Sequence, residues 1–301
     1  MTLMLVDAAG LYFRAFYAIP ESVTAPDGRP VNAIRGYLDM TAALIERRRP
    51  SRHVACLDLD WRPAFRVELI PSYKAHRVAK GGGEEIPDTL TPQIPALLSL
   101  LGAFGLATAG AEGFEADDVI ATLAWRERDP VEVVTGDRDL LALASDRVTV
   151  LYTGKGIAKL AEMGPSEVRE KYGIPAEYYA DFAVLRGDPS DGLPGVPGIG
   201  EKTAAAIVSR LGPIEDVLLA AEQGSDGFPA GARNKVLAAR DYLAKAPAAV
   251  RGRVDAPVDE VDDELPAEPR DAARLAELAD ELGVQSSVQR LLAAIERSLG
   301  G

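Results

Sequence analysis

Three short apolar runs in this chain arrive at an aspartate: Leu3-Met4-Leu5-Val6-Asp7, Val54-Ala55-Cys56-Leu57-Asp58 and Val131-Glu132-Val133-Val134-Thr135-Gly136-Asp137. A fourth stretch, Gly113-Phe114-Glu115-Ala116-Asp117-Asp118-Val119-Ile120-Ala121, sets three carboxylates ahead of an apolar run that reads as a helix. Strand-length runs separated by longer helical patterns predict an α/β fold around a parallel sheet. In such a sheet the carboxyl ends of the strands face one crevice, so these acids converge although they lie far apart in sequence. Two unit charges about 4 Å apart repel by roughly 4 kcal/mol at an effective dielectric of about 20. A cluster of this kind therefore takes up protons or holds cations. Oxygen ligands, a single cysteine and two histidines select a hard ion, Mg2+ or Mn2+, over zinc or copper.

Glu115, Asp117 and Asp118 also suit a helix amino terminus, where acids cap the chain and meet the positive end of the dipole. One or two would satisfy a cap. Three, followed after the next strand by Asp137 and Asp139, exceed that need and point to metal binding. Positive charge gathers elsewhere. Arg66, Lys74 and Arg77 fall at helix-compatible intervals on roughly one side, and Lys80 leads into Gly81-Gly82-Gly83, the pattern of a mobile cationic loop that closes over an anionic substrate, with a disordered surface loop as the plain alternative. Arg14 follows Asp7 closely enough to meet a phosphate at the crevice or to form a surface ion pair.

Farther on, Gly195, Gly198 and Gly200 precede a helix expected over 201–211, with Lys202 and Thr203 in its first turn. Free amides at such a helix start face phosphate oxygens well. The string fails as a Walker A loop, because Glu201 separates Gly200 from Lys202 and a helix precedes it. A hairpin between two helices that grips a duplex backbone fits it better. The net charge of −13 alone argues against a nucleic-acid partner, but much of it lies in the acidic cluster and in an acidic, proline-containing connector near 255–269, read as a solvated linker. Cys56 sits in a buried strand without a disulfide partner, and no run approaches the roughly 18 apolar residues of a membrane span. A soluble, unprocessed cytoplasmic protein with no membrane association is expected. His53 and His76 are too isolated to serve as ligands and read as structural.

Taken together, the motifs resemble the 5′ nuclease domain of bacterial DNA polymerase I and the wider flap endonucleases, over most of the chain. They are Leu5-Val6-Asp7, Phe65-Arg66, Tyr73-Lys74-Ala75-His76-Arg77, residues 113–118, Thr135-Gly136-Asp137-Arg138-Asp139, and 187–204. The resemblance implies a parallel-sheet nuclease core with a helical arch over the active site and a helix-three-turn-helix duplex clamp that often holds potassium. The boundaries expected are a core over 1–162, with the arch at 66–95, and a helical region over 163–301 with the clamp at about 177–211. It implies metal carboxylates at Asp7, Asp58, Glu115, Asp117, Asp118, Asp137, Asp139, Asp188 and Asp191, with Asp58 preferred to Asp60 because it directly ends the apolar run. It assigns catalytic charge to Lys74 and Arg77. DNA contacts are expected from Arg14, Arg66, Tyr73 as a base-stacking or arch residue, Lys74, Arg77, Gly195, Gly198, Gly200, Lys202 and Thr203.

The implied activity is two-metal hydrolysis of phosphodiesters, as a flap endonuclease and 5′-3′ exonuclease acting on DNA with a 5′ flap or a 5′ end at a duplex junction, in replication and repair. The partition expected puts Asp58, Glu115 and Asp117 on one ion, Asp137, Asp139 and Asp188 on the next, and Asp7, Asp118 and Asp191 behind water. The chain is expected to be a free-standing monomer in functional partnership with a DNA polymerase and a ligase. The alternative is a non-catalytic DNA-junction binding relative. Two departures from the family pattern stand out: Gly192 takes the place of the usual asparagine, and Lys80 to Glu85 replace a shorter, proline-rich segment.

Overall fold

The computed structural model describes residues 1–300. Its centre is a six-stranded sheet of β1 (Leu3–Asp7), β2 (Arg52–Cys56), β3 (Ala107–Ala109), β4 (Val131–Thr135), β5 (Val148–Tyr152) and β6 (Ala161–Met163). The order across the sheet is β3-β2-β1-β4-β5-β6, and all pairs are parallel except β5 with β6. β1 pairs with β2 on one side and β4 on the other, so the strand order reverses at β1, where an α/β sheet opens its crevice. The antiparallel edge strand β6 carried no sequence signal beyond Met163.

Side chains alternate across the strands and so divide the apolar interior in two. Leu3, Leu5, Val54, Cys56, Val131 and Val133 face one core; Met4, Val6, Ala55, Val134 and Leu151 face the other. After β1 come α1 (Ala8–Ala18) and α2 (Asn32–Arg48), and after β2 come α3 (Ala64–Leu69) and α4 (Gln93–Phe104). The second core is sealed by α2, through Ile34, Leu38 and Ile45, and by α4, through Leu97, Leu100 and Phe104. α5 (Ala116–Arg126) seals the first with Val119 and Ile120.

The helical region follows as α6 (Pro165–Tyr172), α7 (Tyr179–Arg186), α8 (Glu201–Leu211), α9 (Ile214–Gln223), α10 (Ala232–Ala238), α11 (Arg240–Leu243) and α12 (Ala246–Val250), then α13 (Ala272–Leu282) and α14 (Gln285–Leu299). The last two return to the other side of the molecule. Leu275, Leu278, Leu291 and Ile295 pack with α2 and α4 in the second core, so 272–299 completes the nuclease layer and not the helices it follows. No described helix is long and apolar enough to cross a membrane.

Two expectations need correction here. The acidic connector is docked: His53 N donates to Asp263 O at 2.7 Å, the Arg52 guanidinium grips Asp263, and Arg126 donates to Ala256 O and Val258 O. Ala256, Val258 and Leu265 are buried between its acids, and that burial pulls the segment onto the sheet edge. The span expected as a one-sided helix and helical arch is mostly turns. α3 stops at Leu69, before Pro71, and only one turn of 3-10 helix, Ala75–Arg77, precedes a loop closed by an antiparallel bridge between Val78 and Glu84.

Candidate active site

β1 delivers Asp7 to the crevice as the cap of α1. Its Oδ1 accepts from Gly10 N at 2.7 Å, and its Oδ2 accepts from Thr135 Oγ1, on β4, at 3.0 Å. A Cβ on residue 10 would lie 2.3 Å from Asp7 Oδ2, so only glycine lets the cap close. Asp58, just past β2, accepts from Ala116 N at 2.6 Å, where the amino end of α5 favours an anion. Asp137 turns back after β4 to accept from Asp139 N at 2.8 Å.

Asp7, Asp58, Glu115, Asp117 and Asp137 line one open cavity of about 300 Å³, together with Lys74, Arg77 and Glu84. A much smaller pocket adjoins it, walled by Glu115, Asp117, Asp139 and Asp191 beside Arg66 and Tyr73. The two share Glu115 and Asp117. Asp188, buried near Asp139, accepts from Ser190 N at 2.9 Å and from Arg186 Nη2 at 3.0 Å. Among the described residues no three of these carboxylates close into a ready-made ion cage; they stand around the cavities as walls.

The electrostatics follow from burial among like charges. Burial, then the Asp58 charge, push Asp7 up to about 6. Burial also outweighs the Lys74 and Arg66 cations at Glu115 and pushes it up to about 7. Asp117 is raised well above the carboxylate range by burial and by Asp137 and Asp7, and Asp139 by burial and by Asp137, Asp191 and Asp188. Burial works against the Lys74 ammonium, but Glu115, Asp191 and Asp117 outweigh it and raise its pKa, so it stays charged. The donor chemistry fits hard divalent ions. The inward groups are carboxylate oxygens, and among the described residues neither the Asp117 nor the Asp139 carboxylate accepts a hydrogen bond that would compete for an ion.

Three expected site residues are committed elsewhere. Asp118 is fully buried, with Oδ1 and Oδ2 accepting from Arg66 Nη2 and Nη1, each at 2.7 Å, and further bonds from Arg253 N at 2.8 Å and Glu115 N at 3.2 Å. Its lone pairs are spent on protein, which corrects the expected metal role. Arg66 is 2 % exposed, also held by Glu115 at 3.0 Å and donating to Ala249 O, so it cannot reach a DNA phosphate. Tyr73 is buried with its hydroxyl donating to Glu115 Oε2 at 2.8 Å, so it offers no stacking face. All three hold Glu115 in place.

Lys74 Nζ donates to Glu115 Oε1 at 2.6 Å and Arg77 donates to Asp191 Oδ1 at 3.2 Å, both at the cavity. Arg14 forms no ion pair among the described residues, its Nε is buried without a partner, and its guanidinium lies beside Gly136. The 187–200 loop joins α7 to α8 as expected, with Gly198 (φ 77°) and Gly200, which caps α8, exposed, Lys202 exposed in the first turn and Thr203 half-buried; Gly195 (φ 67°) is instead buried against Gly187, which corrects its expected DNA contact. Sequence reasoning missed Glu84, Arg186 and Lys235. Lys235 Nζ donates to Gly198 O at 2.8 Å, and Arg186 was legible as the cation just before Gly187-Asp188. Glu84 gave no local signal that would set it apart from Glu85.

An acidic crevice at the switch point of a mostly parallel sheet, fitted for hard ions and flanked by cations and a helical hairpin, defines a metal-dependent nuclease. The chain belongs to the 5′-3′ exonuclease family: residues 2–173 match the model of the 5′-3′ exonuclease N-terminal resolvase-like domain and residues 174–273 that of the 5′-3′ exonuclease C-terminal SAM fold. It is 53% identical to a 5′-3′ exonuclease of Mycobacterium tuberculosis, over 98% of both chains. It is 50% identical to a 5′-3′ exonuclease of Streptomyces coelicolor, over 97% of this chain and 99% of that one. Its fold is similar to that of a bacteriophage T5 flap endonuclease in a complex with DNA and metal ions, with a TM-score of 0.65 and 19% identity over the whole of both chains.

Proposed function

We propose that this chain is a structure-selective DNA 5′ nuclease, cutting phosphodiesters where a 5′ flap or 5′ end meets a duplex, both endonucleolytically and in the 5′-3′ direction. The observation that carries this reading is the pair of adjoining carboxylate cavities sharing Glu115 and Asp117, with two cations at the mouth and the 187–200 hairpin alongside. Two or more Mg2+ or Mn2+ ions, held by Asp58, Glu115 and Asp117 and by Asp137, Asp139 and Asp188, with Asp7 and Asp191 behind water, would supply an activated water and stabilise the leaving oxygen. The chain's own groups do the rest. Lys74 and Arg77 bind the non-bridging oxygens of the phosphate and oppose charge that develops there. Arg14, Lys202, Thr203 and the exposed Gly198 and Gly200 amides grip the backbone without reading bases, and a potassium ion, if bound, would be held by backbone carbonyls of the 187–200 hairpin.

The core over 1–162 does the chemistry, and the region from 163 carries the clamp at 177–211. The protein acts as a cytoplasmic monomer beside a polymerase and a ligase that fill and seal the duplex it trims. The Glu115–Lys74 and Glu115–Tyr73 bonds orient a wall carboxylate toward both cavities, which favours chemistry over binding alone. The test is a 5′-flapped duplex incubated with Mn2+, Mg2+ or chelator: cleavage near the junction is expected with either ion and none with chelator. Asp137→Asn should abolish cutting and spare duplex binding without metal. Equal cutting by variant and parent would reject the reading.

A further inference from the structure

The hairpin loop touches the segment that carries the two cations. Lys74 N donates to Asp191 O at 2.9 Å, and Arg77 Nη2 donates to Ser190 O at 2.8 Å and to Asp191 Oδ1 at 3.2 Å. Against this contact lies Gly192, with φ of 70°. A Cβ there would fall 2.1 Å from Ser72 O and 3.4 Å from Lys74 N. Both are backbone atoms and cannot swing aside as the end of a long side chain can. A side chain at 192 therefore forces the loop and the Ser72–Arg77 turn apart. Lys74 itself has a φ of 47°, one of two positive values outside glycine among the described residues, and such a backbone persists only where its surroundings over-determine it. Its surroundings are the Asp191 carbonyl on one side and Glu115 on the other.

We infer that Gly192 is a positioning residue for phosphodiester cleavage: it lets the 187–200 loop seat against Ser72–Arg77, so that a duplex gripped by the loop sets Lys74 and Arg77 over the carboxylate cavity. This rests on the nuclease reading above. It gives structure selectivity a physical route, because the clamp and the charges that meet the phosphate share one backbone contact. A substrate without a duplex leaves that contact without support from the clamp side.

The experiment compares Gly192→Ala with Gly173→Ala. Gly173 has a similar φ of 71° at the end of α6, but a Cβ there meets nothing within 4 Å. The control thus carries the left-handed backbone cost without the collision. Gly192→Ala should lower kcat on a flapped duplex by about 10- to 100-fold, the scale for a misplacement of about 1 Å. Duplex affinity in chelator should stay within about threefold of the parent, a split between binding and turnover that general destabilisation does not produce. Gly173→Ala should keep parental kcat. In the Arg77→Ala background, Gly192→Ala should cost clearly less than it does in the parent, since part of its effect passes through Arg77 and the rest through Lys74.

A measurement on the parent needs no variant to fold: hydrogen exchange at the Lys74 amide should slow when duplex is added in chelator. Parental turnover in Gly192→Ala, equal losses of affinity and kcat, additive losses with Arg77→Ala, or unchanged exchange at Lys74 would each overturn the inference. A parent that leaves flapped duplex uncut defeats the nuclease reading instead, so the two failures are separable.

Discussion

Asp118→Asn tests whether a carboxylate in the middle of the acidic motif serves the fold and not an ion. In the structure Asp118 accepts four hydrogen bonds: two parallel ones from Arg66, one from Arg253 N and one from Glu115 N. Arg66 is itself buried, and once Asp118 loses its charge only Glu115 remains to balance the guanidinium. Breaking one side of a buried ion pair costs about 3 to 5 kcal/mol, because the other charge stays out of water. Asparagine keeps one acceptor oxygen but faces Arg66 with an amide donor where an oxygen stood. Set against a total stability of about 5 to 15 kcal/mol, the loss is a large share. Urea unfolding of parent and variant, each with and without Mg2+, measures it. The expected result is a drop of about 3 kcal/mol or more that is already present without the ion. A drop below about 1 kcal/mol together with weaker ion binding would refute the reasoning and return Asp118 to the metal site.

The remaining expectations concern pH. Asp7 and Glu115 titrate near 6 and 7 in the fold, above their ordinary values of 3.8 and 4.5. The folded state thus holds extra protons in that window, and stability without metal falls as pH rises from about 4 to 7. A divalent ion replaces the protons, so Mg2+ should raise Tm more at pH 8 than at pH 5, and cleavage should rise between those values; a Tm gain independent of pH would refute this. His53 behaves in the opposite sense. It is 1 % exposed, both ring nitrogens lack partners, and burial lowers its pKa from 6.5 to about 4. Its contribution is intact above pH 6.5 and is lost as pH falls toward 4, by about 3 kcal/mol from a shift of this size. His53→Leu should flatten the acid limb of the stability curve in urea titrations from pH 4 to 7, and an unchanged limb would exclude His53 as its cause.

Much of the site was legible before any tertiary contact was known. Strand-length apolar runs ending near Asp7, Asp58 and Asp137 put those carboxylates at one edge of a parallel sheet, because that edge is common to all parallel strands. The loop at 187–200 and the start of α8 were readable for a similar reason: glycines with positive φ and a helix amino end are local chemistry. What failed to read locally was which neighbour each charge would meet. Asp118 and Glu115 lie three residues apart on one helix start, yet one is consumed by Arg66 and the other faces the cavities, a choice made by the turn of α5 against α3. Arg66, Lys74 and Arg77 looked like one cationic face, but α3 ends at Leu69 ahead of Pro71, which parts Lys74 and Arg77 from an Arg66 buried against Asp118.

By itself, then, the sequence determined the sheet, the convergence of acids at its carboxyl edge and the hard-ion chemistry they demand, since strand period, chain direction and ligand type are properties of short segments. Tertiary structure alone decided that the connector over 255–269 docks on Arg52 and Arg126, that α13 and α14 return to α2 and α4, and that Gly192 closes on Ser72. Those outcomes depend on burial and on close approach between distant segments, and a charge or a missing Cβ carries no record of its partner until the chain has packed around it.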